Sequence, residues 1–168
     1  ILGKAIRQQF EGTGAKLLRG TETIRATVVG AGSHATELSG STIFYQNVTF
    51  PLKNLPVIRP EPLDDLPQAI SKELALFSGE EGNEPVCLSL RGLDDPSYEE
   101  ICVLARDIVE ALKPLSDRGE VLVVALETDM AKALGQRLAG ELPNGKILCV
   151  DAIHAAHGSY MDVMAPAY

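Results

Sequence analysis

An α/β fold built on a parallel βαβαβ sheet is predicted by three features of the second half of the chain. Short, largely apolar runs at 86–90 (VCLSL), 121–126 (VLVVAL) and 146–150 (KILCV) read as strands, the first of them buried. Two longer segments between them have helical periodicity. Each change of period is marked by a proline, a glycine or a capping residue. Strands alternating with helices in this way favour right-handed crossovers, and hence a parallel sheet with helices on both sides.

In chain order, residues 3–19 carry Ile6, Phe10, Leu17 and Leu18 in a helical pattern weakened by Gly12 and Gly14. Residues 24–29 are a β-branched run entering Gly30 directly, which marks a strand ending at a glycine turn. A second strand at 42–46 follows Gly40-Ser41. Pro51, Pro56, Pro60, Pro62 and Pro67 predict a linker over 51–67, uncomfortable for a helix or a central strand. Leu66, Ile70, Leu74 and Phe77 share one helical face, which Gly79 closes as a left-handed cap. Asp95-Pro96 and the capping-box spacing Ser97-x-x-Glu100 start a long helix. Its stripe of Ile101, Leu104, Ala105, Ile108, Val109 and Leu112 ends before Pro114. Asp117-Arg118-Gly119 is a helix-to-strand connection, Thr128 caps a helix to about residue 142, and Pro143-Asn144-Gly145 reverses the chain. The tail from Gly158 opens with a turn and is expected to stop in mid-element.

At 168 residues the chain can bury a sizeable core. It opens without methionine and is expected to be cut from something longer. A net charge of −8 with no basic stripe argues against nucleic-acid binding. Cys87, Cys102 and Cys149 are odd in number and set in apolar segments, so they read as reduced core thiols of a cytosolic protein. The longest apolar run is too short to span a bilayer, and no signal-peptide pattern opens the chain.

Gly30-x-Gly32-x-x-Ala35 has the spacing of a dinucleotide fingerprint. Gly40 interrupts the crossover helix, however, and no acid follows at the ribose position, so a nicotinamide site is not expected. A second candidate lies at the carboxyl ends of the parallel strands, where open α/β sheets collect ligands. Arg91, Asp94, Glu127, Asp129, Asp151 and His154 fall there, and their carboxylates could hold Mg²⁺. The plainer reading, that Asp94 and Asp129 serve helix starts and the others are solvated, is preferred. His154 and His157 lack a third ligand and read as surface or turn histidines. Ser33 beside His34 makes no dyad, and no G-x-S-x-G elbow occurs.

Residues 24–58, "IRATVVGAGSHATELSGSTIFYQNVTFPLKNLPVI", closely resemble the EutA family of reactivating factors of ethanolamine ammonia-lyase; 146–166, "KILCVDAIHAAHGSYMDVMAP", are compatible with it. That family is similar to the actin, Hsp70 and sugar-kinase superfamily. Its members use ATP to release damaged cobalamin from the adenosylcobalamin-dependent lyase. The resemblance implies the end of an actin-like ATPase lobe over 1–58, followed by an appended βαβαβ domain over 63–168, truncated at its C-terminus. A strand, a glycine turn and a short helix would form the adenosine-binding loop. That gives Gly30, Ala31, Gly32 and Ser33 as nucleoside contacts, with Thr36 beside them. Bare glycine backbone leaves a flat surface for the nucleoside, and a helix start offers free N–H groups. Ala31 stands where many superfamily members carry a second adjacent glycine.

The implied cofactors are ATP and Mg²⁺, bound together with two aspartate-glycine phosphate loops that this chain lacks and that are expected upstream of Ile1. This piece alone is then expected to hydrolyse nothing, and no residue in it is assigned to a chemical step. Direct cobalamin ligation is not expected, because Asp151-x-x-His154 misses the D-x-H-x-x-G pattern by one residue. The implied partners are ethanolamine ammonia-lyase and ATP or ADP, with no nucleic acid and no membrane. The implied setting is the cytoplasm, associated with a bacterial microcompartment. The alternatives are a small acidic α/β domain that handles phosphate with Mg²⁺, receiver-like in character, and an interaction module without a ligand.

Overall fold

The computed structural model describes residues 33–36, 43–61, 65–76, 78–79, 82–83 and 85–165. In chain order the elements are β1 (Ser33–Thr36), β2 (Ile43–Gln46), β3 (Leu52–Ile58), α1 (Leu66–Leu76), β4 (Ser78–Gly79), β5 (Gly82–Asn83), β6 (Cys87–Leu90), α2 (Tyr98–Ala111), α3 (Lys113–Ser116), β7 (Val121–Leu126), α4 (Ala131–Glu141), β8 (Lys146–Val150) and β9 (Tyr160–Val163). The expected elements at 3–19 and 24–29 lie outside the described residues.

The βαβαβ unit is present as β6–α2–β7–α4–β8, with β6, β7 and β8 parallel. All six residues of β7 are buried, which is why this strand reads as a continuous apolar run rather than an alternating one. Seven strands form the main sheet in the order β1-β9-β3-β6-β7-β8-β2; β4 and β5 form a separate hairpin. Strand β3 is parallel to β6, β9 is antiparallel to β3, and β2 is antiparallel to β8 at an edge.

The linker expected over 51–67 is therefore corrected, because β3 lies inside the sheet between β9 and β6. Val57 donates to the Ser159 carbonyl at 2.8 Å and accepts from the Gly158 N–H at 2.9 Å, so its polar groups face β9. The nitrogen of Pro56 then faces the other side. Pairing with β6 begins only at Val57, so the missing N–H costs no ladder bond.

Among the described residues, the expectation of helices on both sides is corrected as well. Ile70 of α1, Ile108 of α2 and Leu134 of α4 pack in one core with Ile58, Leu88, Val124 and Ile147. The opposite core is made by Val57, Cys87, Val123, Leu148 and Met161, with no residue from a described helix. Parallel strands are added in one direction, β3 to β6 to β7 to β8, and crossovers of one hand then place each helix on the same face.

Other boundaries follow their local chemistry. Ser97 and Glu100 form a complete capping box at the start of α2, whose buried stripe is Ile101, Ala105, Ile108 and Ala111. Gly79 lies in β4 rather than capping α1, which ends at Leu76. Thr128 does not cap α4. The helix follows Met130, which supplies no side-chain cap, and the side-chain oxygen of Thr128 is buried without a hydrogen-bond partner. Beyond the Gly158 turn, at φ +75°, the chain forms β9. Among the described residues, no helix is long and apolar enough to cross a membrane.

Candidate functional site

The parallel strands β3, β6, β7 and β8 end on the same edge of the sheet and deliver Arg59, Arg91, Glu127 and Asp151 there. Between β8 and β9 the chain crosses this edge. The Ile153 N–H donates to the Leu126 carbonyl at the end of β7 (3.0 Å), and the Gly158 N–H donates to Val57 near the end of β3. The crevice where an open parallel sheet would hold a ligand is thus spanned by residues 151–159.

Glu127 is the hub beneath that crossing. Its Oε1 accepts from Arg59 Nη1 at 2.6 Å and lies 2.5 Å from His154 Nδ1. Hydrogen bonds from Arg59 and then His154 hold the Glu127 carboxyl below its ordinary range. Arg59 Nη1 also lies 3.5 Å from the hydroxyl of buried Ser89. The Arg59 backbone N–H donates to His157 Nδ1 at 3.3 Å, and His157 Nε2 lies 3.5 Å from Glu73 Oε2. His157 lies in the turn that precedes β9, and His154 is an exposed residue of the crossing.

The remaining strand-end acids are engaged too. Asp94 pairs with Arg91 at 2.9 Å on the exposed surface. Asp151 Oδ1 accepts the backbone N–H groups of Met130 at 3.1 Å and Ala131 at 2.7 Å, so it caps α4 from outside that helix. Asp129 is exposed beside Asp151. Among the described residues, no group of three or more His, Cys, Asp or Glu side chains could hold a metal ion. Of the carboxylates in the Mg²⁺ alternative, Asp94 is held by Arg91, Glu127 by Arg59 and His154, and Asp151 by the start of α4, which leaves Asp129 exposed, so that alternative is not favoured.

Of the expected nucleoside contacts, Gly30, Ala31 and Gly32 lie outside the described residues. Ser33 and Thr36 are the first and last residues of β1, which pairs in parallel with β9 and places Ser33 opposite Tyr160 and Thr36 opposite Val163. After the glycines the chain is therefore extended over 33–36, where the resemblance implied a helix start. Tyr160 also pairs with Pro56 near the end of β3, so Ser33 lies toward the same sheet edge as Arg59. A cavity of about 170 Å³ borders this place, with Val57, Ile153 and Met161 as apolar walls and His154, Ser159 and Tyr160 as polar ones.

Arg59, Ser89 and Glu73 were missed by sequence reasoning. Arg59 directly follows the apolar run 55–58, which signals a strand end once Pro56 is accepted inside a strand. Ser89 and Glu73 carry no comparable signal.

All of residues 1–168 match the family model described as "Ethanolamine utilisation protein EutA". A curated relative from Salmonella typhimurium (strain LT2), named ethanolamine ammonia-lyase reactivase EutA, is 33% identical over 147 residues, covering 88% of this chain and 31% of that protein. A relative of the same name from Escherichia coli (strain K12) is 32% identical with the same coverage. The chain thus spans about a third of the length of the curated relatives it matches. No solved structure matches it. With the family match running through every residue of the fold described above, the chain belongs to the EutA family of ethanolamine utilisation proteins.

Proposed function

We propose that this chain is the C-terminal part of an ATP-dependent reactivating factor that releases damaged cobalamin from ethanolamine ammonia-lyase, so that intact cofactor enters. One observation carries the reading: the family match covers residues 1–168, and two relatives in that family are named as reactivases of this lyase. The work is conformational. Nucleotide state shifts the balance between lyase-bound and free arrangements, which requires different affinities in the two states.

Within this chain, Gly30, Ala31, Gly32, Ser33 and Thr36 face the adenosine end of ATP, on the last part of an actin-like lobe over 1–58. Support comes from the register of Ser33 with Tyr160, a residue that itself lines a small cavity with apolar and polar walls. Mg²⁺ and the β- and γ-phosphates are held by the rest of the full-length protein, and hydrolysis needs that part. Residues 63–168 are the appended domain, and the factor acts beside its lyase at a bacterial microcompartment.

The test uses the full-length protein bearing this chain, ethanolamine ammonia-lyase blocked with damaged cobalamin, and fresh adenosylcobalamin. Lyase activity is expected to return only when ATP and Mg²⁺ are present. Gly32→Val is expected to weaken ATP binding, read by calorimetry, by about tenfold or more, with a matching loss of reactivation. Return of activity without ATP, or no return at all, overturns the proposal.

A further inference from the structure

The helical side of the molecule carries a second concave surface that the reactivase reading does not use. A cavity of about 440 Å³ opens between α1, α2 and the loop after β6, within the size range of ligand pockets. Buried Leu66 and Leu90 and half-buried Leu93 and Leu104 form its apolar wall. Val103 stands at the mouth and is 46% exposed, although a large aliphatic side chain gains by leaving water.

Charge frames this opening. Glu99 and Asp107 lie one turn before and one turn after Val103 on α2, so a span of eight residues separates them by about 12 Å along the helix axis. Among the described residues neither carboxylate has an ion-pair partner. Of the nearby cations, Arg91 pairs with Asp94, and Arg106 turns back along α2, where its Nε donates to the Cys102 carbonyl. Glu100 is committed to the capping box. A single small ammonium cannot reach both free acids across such a gap. A helix laid along α2 can, with basic residues two turns apart and aliphatic residues between them.

We propose that the groove framed by Glu99, Val103 and Asp107 docks a basic amphipathic helix of a partner protein, with aliphatic side chains in the cavity and Lys or Arg against the two acids. This surface is independent of the nucleoside loop, and its test requires no ATP.

The experiment uses the full-length protein and two dye-labelled synthetic helical peptides. One carries leucine at i, i+4 and i+7 flanked by lysines, and the other has glutamate in place of every lysine. Anisotropy titration is expected to show the lysine peptide binding at least about tenfold more tightly, with affinity falling as salt rises. Val103→Glu is expected to weaken it by about tenfold or more. The double variant E99K/D107K should reverse the preference toward the glutamate peptide, which a misfolded protein could not do. Thermal melts matching the parent confirm that the fold survives. Equal binding of the two peptides, insensitivity to these substitutions, or no binding by a folded protein overturns the proposal.

Discussion

Asp151 is 6% exposed, and its Oδ1 accepts two backbone N–H groups at the start of α4, where Met130 supplies no cap of its own. Burial raises its carboxyl above the ordinary value and the neighbouring Asp129 adds to this, while the two N–H donors oppose it. A carboxyl raised in the fold carries no penalty below its unfolded pKa, a growing one between the two values, and the full one above the folded value. Asp151→Asn, which keeps the acceptor without the charge, is therefore expected to be at least as stable at pH 7. Asp151→Ala, which leaves the N–H groups bare, is expected to lose about 1 kcal/mol in urea unfolding. Glu127 has the opposite sign, since Arg59 and His154 lower its carboxyl. Its contribution is present above the unfolded value and lost as pH falls through the lower folded one. Glu127→Gln should melt lower at neutral pH, with the gap closing below about pH 4.

Among the helices, α2 is held at its start by Ser97 and Glu100, and α4 is held by its closeness to β2. Ser97→Ala is expected to cost about 1 kcal/mol, seen as a lower urea midpoint with an unchanged slope. At Gly135 in α4, an added Cβ would sit 2.3 Å from Cδ1 of Phe44 on β2. Helix propensity alone favours alanine there by about 1 kcal/mol. Overpacking costs about 1–3 kcal/mol, and the ring atoms within 2.6 Å leave little room to yield, so the clash wins. Gly135→Ala is expected to destabilise the protein, and a smaller residue at Phe44 should recover part of the loss in a double-mutant cycle.

Across the whole molecule, the parallel strands sit between two cores, and the three cysteines report on that layering. Cys87 and Cys149 are buried in β6 and β8, whereas Cys102 on α2 is half-buried. Burial pushes the Cys87 thiol up to about 12 and raises Cys149 as well, leaving little reactive thiolate at neutral pH. A maleimide reagent is expected to label Cys102 in the native protein and to reach Cys87 and Cys149 only on global opening. Rapid native labelling of Cys149, read by mass spectrometry, would contradict a closed sheet.

Much of this architecture was legible from local pattern. The runs at 121–126 and 146–150 match β7 and β8 residue for residue: β7 is buried at all six positions and β8 at four after its exposed Lys146, and strands buried on both faces stand out as continuous apolar runs. The capping box of α2 was legible because its two partners are three residues apart. The stripe of α1 was legible because three or four residues return a side chain to the same face. The site was much less so. Arg59 meets Glu127 across 68 residues, and Asp151 caps a helix that begins 20 residues earlier. Pro56 argued for a linker until the side of β3 that its nitrogen faces was known. One-sided winding followed from strand order, which no local pattern encodes. Periodicity and capping act within a few residues along the chain. Partners in a strand-end cluster and the order of strands depend on how distant segments pack, where local preference yields to burial and pairing.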